Sequence, residues 1–189
     1  MHILRAGDYR RMRWKNGGGE TAEIAVFPED AGLDDFGWRV SMATVEAGGP
    51  FSVFPGVDRT LSILEGEGMV LDIEDRKPAT LTEVSEPYSF PADVATSAEL
   101  LGGPIVDLNV MTRRGMYGHK VDLRHLEEPI EVVLKSEATL LFCRSGKLIV
   151  GDSERREELG RFDAVLLQEP AALDIAGRGQ FFLVEFNRV

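Results

Sequence analysis

Helical periodicity is weak along this whole chain. Short runs that alternate apolar with other residues recur instead from Ala22 onward, rich in Val, Ile, Leu, Thr and Phe and separated by Gly or Pro. A chain written this way folds as many short strands. The runs fall at 21–27, 38–45, 59–65, 69–73, 79–84, 94–101 and 105–111, and after Pro129 at 130–134, 139–143, 147–150, 162–167, 171–175 and 180–186. The charged stretch 152–159 reads as one solvated turn at most. With 20 Gly and 9 Pro in 189 residues the turns are frequent, and the expected class is all-β.

The two series of strands can be laid over one another. Residues 61–70 and 141–150 each read as a strand, a polar-glycine turn at Gly66 or Gly146 and a return strand, which suggests duplication of a small β-sandwich or barrel unit. Between the series, 114–128 loses apolar alternation and reads as a linker. The expected organisation is therefore one unit at 1–115 and a linker with a second unit at 116–189, packed as one globular body.

Charge narrows the partners. Thirty-two Asp and Glu against 21 Lys and Arg give a net charge of −11, which repels a phosphate backbone, so nucleic acid is not expected as a partner. No apolar run approaches the roughly 20 residues that span a bilayer, and the opening MHILRAGDYRRMRW lacks the apolar core of a secretion signal. The expectation is a soluble cytoplasmic protein without a membrane partner. The only cysteine, Cys143, makes neither an internal disulfide nor a thiolate metal site alone, and it alternates with Leu141 on an apolar strand as a core residue would.

The text from Arg59 to Gly68 resembles the end of the first cupin motif, G(x)5HxH(x)3-4E(x)6G, with Gly66 as its closing glycine. Counting back from Gly66, Arg59 occupies the place where a metal-binding cupin carries a glutamate ligand. Residues 49–58 contain no histidine, so the HxH pair is missing as well. The resemblance thus implies a cupin without its metal site, and no metal or other cofactor is expected. Four segments taken together, WKNGGGET at 14–21, WRVSMA at 38–43, GPFSVFPGVDR at 49–59 and DLNVMTRRG at 107–115, resemble the HutD/Ves family of bicupins. That resemblance implies two small β-barrel or jelly-roll cupin units in one chain, a link to histidine utilisation or stress response, and a role in sensing a small acid. It brings no established reaction with it.

Alternation places Arg59 on the same face as Leu61 and Ile63, an inward face. A guanidinium there must meet a carboxylate, with Asp58 or a cross-strand acid as candidates, or else serve as a fork for a bidentate carboxylate ligand. Asp107, Asn109 and Met111 alternate against Val106, Leu108 and Val110, so this polar face either turns to solvent or lines a cavity where Asp107 holds an arginine and Asn109 contacts a ligand. Arg39 shares a face with Ser41 opposite Trp38 and Met42, and is either exposed or a second cation of the pocket. Arg113 and Arg114 follow a strand end, either solvated or with Arg113 contributing to the ligand. Lys15 and Asn16 open a glycine turn that serves either to pack Trp14 or as an anion nest. His119, Asp122 and His125 have no recognised metal-ligand spacing, and no GxSxG elbow is present.

The function expected from the sequence is a metal-independent cupin that binds a small carboxylate through Arg59, Arg39, Asn109, Asp107, Arg113, Asn16 and Lys15, as a sensor or regulator connected with histidine or amino-acid catabolism or stress response. The alternative is a metal-free isomerase, epimerase or lyase using His119, Asp122 and Tyr117 or Tyr88 on an acidic metabolite. An interaction protein docking through its acidic surface or a sheet edge is the third reading, and a homodimer is compatible with each.

Overall fold

The computed structural model describes residues 1–152 and 155–189. Apart from one 3-10 turn at Ala6–Asp8, the regular elements among them are strands, so the all-β class holds. In chain order these are β1 (His2–Leu4), β2 (Arg10–Arg13), β3 (Gly19–Phe27), β4 (Trp38–Val45), β5 (Gly49–Pro50) and β6 (Val57–Glu65). Then come β7 (Met69–Ile73), β8 (Ala79–Leu81), β9 (Tyr88–Pro91), β10 (Thr96–Leu100), β11 (Ile105–Arg113) and β12 (Tyr117–Leu126). The chain ends with β13 (Ile130–Leu134), β14 (Ala138–Gly151), β15 (Arg156–Leu159), β16 (Ala164–Leu167) and β17 (Ala171–Arg188).

Two compact units result, residues 10–118 and residues 119–189 together with 1–9. In the first, a six-stranded antiparallel sheet has the order β2-β3-β4-β11-β6-β9, and a four-stranded sheet the order β5-β10-β7-β8. Alternation sends Ala43, Val45, Leu61, Ile63 and Ile105 of the larger sheet into one core with Met69, Leu71, Ile73 and Leu81 of the smaller. Because β11 lies between β4 and β6, the middle of that face is built from three central strands, which positions the site described below.

In the second unit the sheet order is β1-β16-β14-β17-β12, with β13 also on β17 and β15 on β14. Its core gathers Leu141, Cys143, Leu148 and Val150 from β14 with Leu173, Ile175, Phe181 and Leu183 from β17. The first nine residues belong here. β1 pairs with β16, Arg5 Nη1 donates to Asp163 Oδ2 at 2.9 Å, and the Tyr9 hydroxyl donates to the Phe162 carbonyl at 2.6 Å.

Three local expectations are corrected. β14 does not turn at Gly146: it runs on past a bulge between Cys143 and Ser145, and Gly146, at φ +83°, pairs with Gly179. A Cβ on Gly146 would collide with the Arg178 carbonyl, so glycine serves the close approach of two long strands rather than a hairpin. The matching turn at Gly66 joins β6 and β7, which lie in different sheets, so the two segments are not copies of one hairpin. The segment taken as a linker contains β12, whose residues from Gly118 to Arg124 are half-buried or exposed on both faces, leaving no apolar alternation to read. Within 152–159, where Ser153 and Glu154 lie outside the described residues, Arg156–Leu159 is a strand paired with β14 that buries Leu159.

Candidate functional site

The strand register of the six-stranded sheet aligns its interior polar residues in rungs. One rung runs Val26, Arg39, Met111, Arg59, Phe90 from β3 to β9. The next runs Glu23, Ser41, Asn109, Leu61, and the third Thr21, Ala43, Asp107, Ile63. Arg39, Ser41, Arg59, Asp107 and Asn109 are all buried, so the solvent-facing alternatives for Arg39 and for the polar face of β11 do not hold.

Arg59 is only 5% exposed. Its Nη2 lies 3.9 Å from Met111 Sδ, and its Cζ lies 5.1, 5.4 and 5.8 Å from the ring centres of Phe51, Phe54 and Phe90. Its Nε has no partner, and among the described residues no carboxylate stands within ion-pair distance. Three aromatic faces soften the burial of a cation without replacing a counter-ion. Burial pulls Arg59 down to about 10, the charge of Asp107 pulls it back up, and Arg39 pushes it further down. Asp58, the nearest acid in sequence, alternates to the other side of β6 and is held by Arg114 Nη2 at 2.7 Å, an arginine that also binds Asp93. Arg114 is thereby a clasp between β6, β11 and the turn after β9.

Arg39 is satisfied where Arg59 is not. Its Nε donates to Glu23 Oε2 at 2.7 Å and its Nη1 to Ser41 Oγ at 3.3 Å. Asp107, 1% exposed, accepts a hydrogen bond at Oδ1 from the Asn109 carboxamide. Burial pushes the Asp107 carboxyl up to about 7, against the opposing pull of Arg59, of Asn109 and of the Ala43 amide. A carboxyl that titrates near neutrality therefore shares a buried face with two guanidiniums, of which one is neutralised by Glu23.

The segment 51–56 covers Arg59. Phe51 and Phe54 pack on the guanidinium while Ser52 and Val53 are exposed. Main-chain bonds from Phe51 to Thr96 and from Phe54 to Ala92 fix the segment, as does the Gly56 N–H bond to Asp93 Oδ2.

The other sequence candidates lie outside this cluster. Arg113 donates to the Phe36 carbonyl at 3.0 Å and the Asp34 carbonyl at 2.7 Å, and stacks on the Phe36 ring, anchoring the loop before β4. Asn16 Oδ1 accepts from the Gly18 N–H at 3.0 Å within the turn between β2 and β3, and Lys15 beside it is exposed. That turn seats Trp14, whose Nε1 donates to Thr21 Oγ1 at 2.8 Å. On β12, strand alternation sends Asp122 to the face opposite His119 and His125, and Asp122 pairs with Lys120, so these three do not converge. Cys143 is fully buried and its thiol is pushed up to about 11, chiefly by burial, which leaves it an inert core residue. A groove of about 400 Å³ in the second unit, lined by Ile130, Glu131, Ile149, Arg156 and Asp174, contains none of the candidates.

Glu23 and the aromatic cover of Phe51, Phe54 and Phe90 are the members that sequence reasoning missed. The spacing of Phe51 and Phe54 ahead of Arg59 was a visible signal, but their approach to it is tertiary. As a metal centre the cluster is unsuitable: the inner rungs offer two guanidiniums, a thioether, a carboxamide and two carboxylates, of which Glu23 is already paired with Arg39, and the cations would repel a metal ion.

The family model for HutD matches residues 6–184. The chain belongs to the HutD family. A relative from Pseudomonas putida, described as an uncharacterized 21.2 kDa protein in the hutC 3' region, is 35% identical over 187 residues, covering 98% of this chain and 96% of that one. Among solved structures, a conserved protein of unknown function from Pseudomonas aeruginosa superposes with a TM-score of 0.89 at 32% identity, covering 98% of each chain. HutD from Pseudomonas fluorescens, solved in a formate condition, superposes with a TM-score of 0.86 at 30% identity over 100% of this chain and 98% of that one. At the level of fold alone this HutD-family chain also resembles cupin-like proteins such as oxalate decarboxylase from Bacillus subtilis, with a TM-score of 0.67 at 9% identity.

Proposed function

We propose that this HutD-family chain is a metal-independent bicupin that binds a small organic carboxylate against Arg59, as a sensor or regulator connected with histidine or amino-acid catabolism. The observation that carries the reading is the Arg59 guanidinium itself, buried under three phenylalanine rings with its Nε unpartnered and no carboxylate paired to it. Burying a cation in this way costs several kcal/mol, on the order of the penalties seen for unpaired buried ions, and a planar carboxylate relieves that cost through two parallel N–H···O bonds. In this reading Asn109 and Asp107, one and two rungs away, contact the rest of the ligand. Arg39 supports the site from across Met111 with its charge already balanced. Arg113, Asn16 and Lys15 have no part in it. In this reading both units are cupin barrels, the protein works in the cytoplasm, and pairing of two copies through sheet edges is compatible.

A thermal-shift and calorimetric titration with formate, acetate and longer mono- and dicarboxylates tests the reading, run on the wild type and Arg59→Met with and without a chelator. At 100 times its dissociation constant a ligand adds about 2.7 kcal/mol of stability. The expected result is a chelator-insensitive rise in melting temperature that vanishes in the folded Arg59→Met variant. A rise that survives the substitution, or none with any acid, removes the carboxylate site.

One observation favours the second reading, a metal-free isomerase, epimerase or lyase. Asp107 titrates near neutrality inside the cluster and has the proton affinity of a general base. Conversion of a bound acid, followed by NMR and lost in Asp107→Asn, would move the chain to that class.

A further inference from the structure

The charge balance of the polar face limits what a ligand can do on arriving. Glu23 already neutralises Arg39, so among the described residues Arg59 is the one cation on this face left to balance Asp107 and any incoming anion. The groups that face Asp107 are Arg59 from β6, Asn109 on its own strand and the Ala43 amide from β4. Arg39 on β4 and Glu23 on β3 complete the charged set, while the facing sheet contributes the apolar Met69, Leu71 and Ile73. A carboxylate seated on Arg59 would stand near a second, fully buried carboxylate. Two such groups within the field of one guanidinium cannot both stay ionised in a dry interior, and one must take a proton.

The ligand's carboxylate would hold the fork of Arg59, which stabilises its ionised form. Asp107 has only the neutral carboxamide of Asn109 and one main-chain amide bonded to it. We propose that the site takes up its carboxylate together with one proton, which passes from solvent to the Asp107 oxygen that Asn109 does not hold, so that ligand capture is coupled to pH. This deepens the reading above and rests on it. Burial already places Asp107 near neutrality, so the proton costs little at the moment of binding. Affinity is then flat on the acid side of about pH 7, and above it falls by up to about tenfold per pH unit, because the site must first be protonated.

Calorimetric titration of formate and acetate into the protein at about pH 8 measures this, in two buffers of different ionisation enthalpy, on the wild type, Asp107→Asn and Arg59→Met. The expected result is uptake of close to one proton per carboxylate by the wild type. Asp107→Asn, a mimic of the protonated acid, should bind with no uptake and with an affinity independent of pH. Carboxylate binding to the wild type without proton uptake overturns the proposal and leaves the carboxylate site standing, as does uptake that persists in Asp107→Asn. Absence of binding to the wild type removes both. Should Asp107→Asn fail to fold, the two-buffer comparison on the wild type alone still decides.

Discussion

Inside the first unit one rung of the larger sheet reads Arg39, Met111, Arg59, whereas inside the second unit β14 and β17 set Leu141 opposite Leu183 and Cys143 opposite Phe181. Both faces are buried and both are built from antiparallel neighbours. The second is filled as a core is filled, with side chains that satisfy themselves by packing. The first holds two guanidiniums and a buried carboxyl where apolar groups would be more stabilising, and in the function proposed above its residues are there for what they bind and not for what they hold together. The sharpest way to break the contrast is to move a charge across it. Cys143→Asp puts a carboxyl among Leu141, Leu183 and Phe181, in the field of the like-charged Asp163, and should cost at least about 3 kcal/mol in urea unfolding or leave no folded protein. A Cys143→Asp protein close to wild type in stability would mean that this interior is no drier than the other.

A smaller effect is expected within the polar face. Glu23→Gln removes the charge that balances Arg39 but keeps an acceptor for its Nε, and should lower stability by about 2 kcal/mol. The double variant with Arg39→Met should lose much less than the sum of the two single losses, since removing both charges restores much of what one removal costs, and losses that simply add would show that the pair is not coupled.

These residues were unequally legible in the sequence. Strand alternation alone placed Arg59 with Leu61 and Ile63, and Asp107 with Asn109 and Met111, because a side-chain period of two fixes the face once one apolar neighbour is assigned. Which strands lie side by side is set by long-range pairing, so the alignment of Arg39 with Met111 and Arg59 was invisible, as was the capture of Asp58 by Arg114. Glu23 was hidden by a further device. A bulge between Glu23 and Ala25 shifts the register of β3 against β4 and brings both Glu23 and Val26 onto the inner rungs, where simple alternation sends them to opposite faces. In the second unit, β12 was missed because neither of its faces is consistently buried, and β14 was read as two strands because a glycine at a bulge looks like a glycine at a turn.

The pH dependence of stability sharpens the comparison further, since among the described residues the first interior alone holds a buried acid, Asp107, that burial pushes up to about 7. Asp107 binds its proton more tightly folded, at about 7, than in an unfolded chain at about 4. Between those values the folded state carries more protons than the unfolded one. Its contribution is therefore fully present at acid pH and declines as pH rises through that window, by up to about 1.4 kcal/mol per pH unit, becoming flat above about 7. Other carboxylates also titrate there, so the quantity to measure is the difference between the wild type and Asp107→Asn in denaturant unfolding from about pH 4 to pH 8. A difference that does not change with pH would mean that Asp107 ionises in the folded protein as freely as in the unfolded one.

The smallest effect runs against the usual direction of core substitutions. Arg59→Met gives the first interior the chemistry of the second: the unpartnered Nε disappears, Phe51, Phe54 and Phe90 retain an apolar surface to pack on, and Asp107 can rest protonated once its cation is gone. Replacing a buried charge by a hydrophobe of similar length is commonly neutral or stabilising, and here a gain of about 1 kcal/mol is expected in urea unfolding near pH 6, together with loss of carboxylate binding. A gain accompanied by lost binding would mark Arg59 as a residue kept at the expense of stability, which is the signature of a binding group. A loss of several kcal/mol instead would make the guanidinium, with its three aromatic contacts, part of what holds the larger sheet to the segment that covers it, and the two interiors would then differ in composition but not in role.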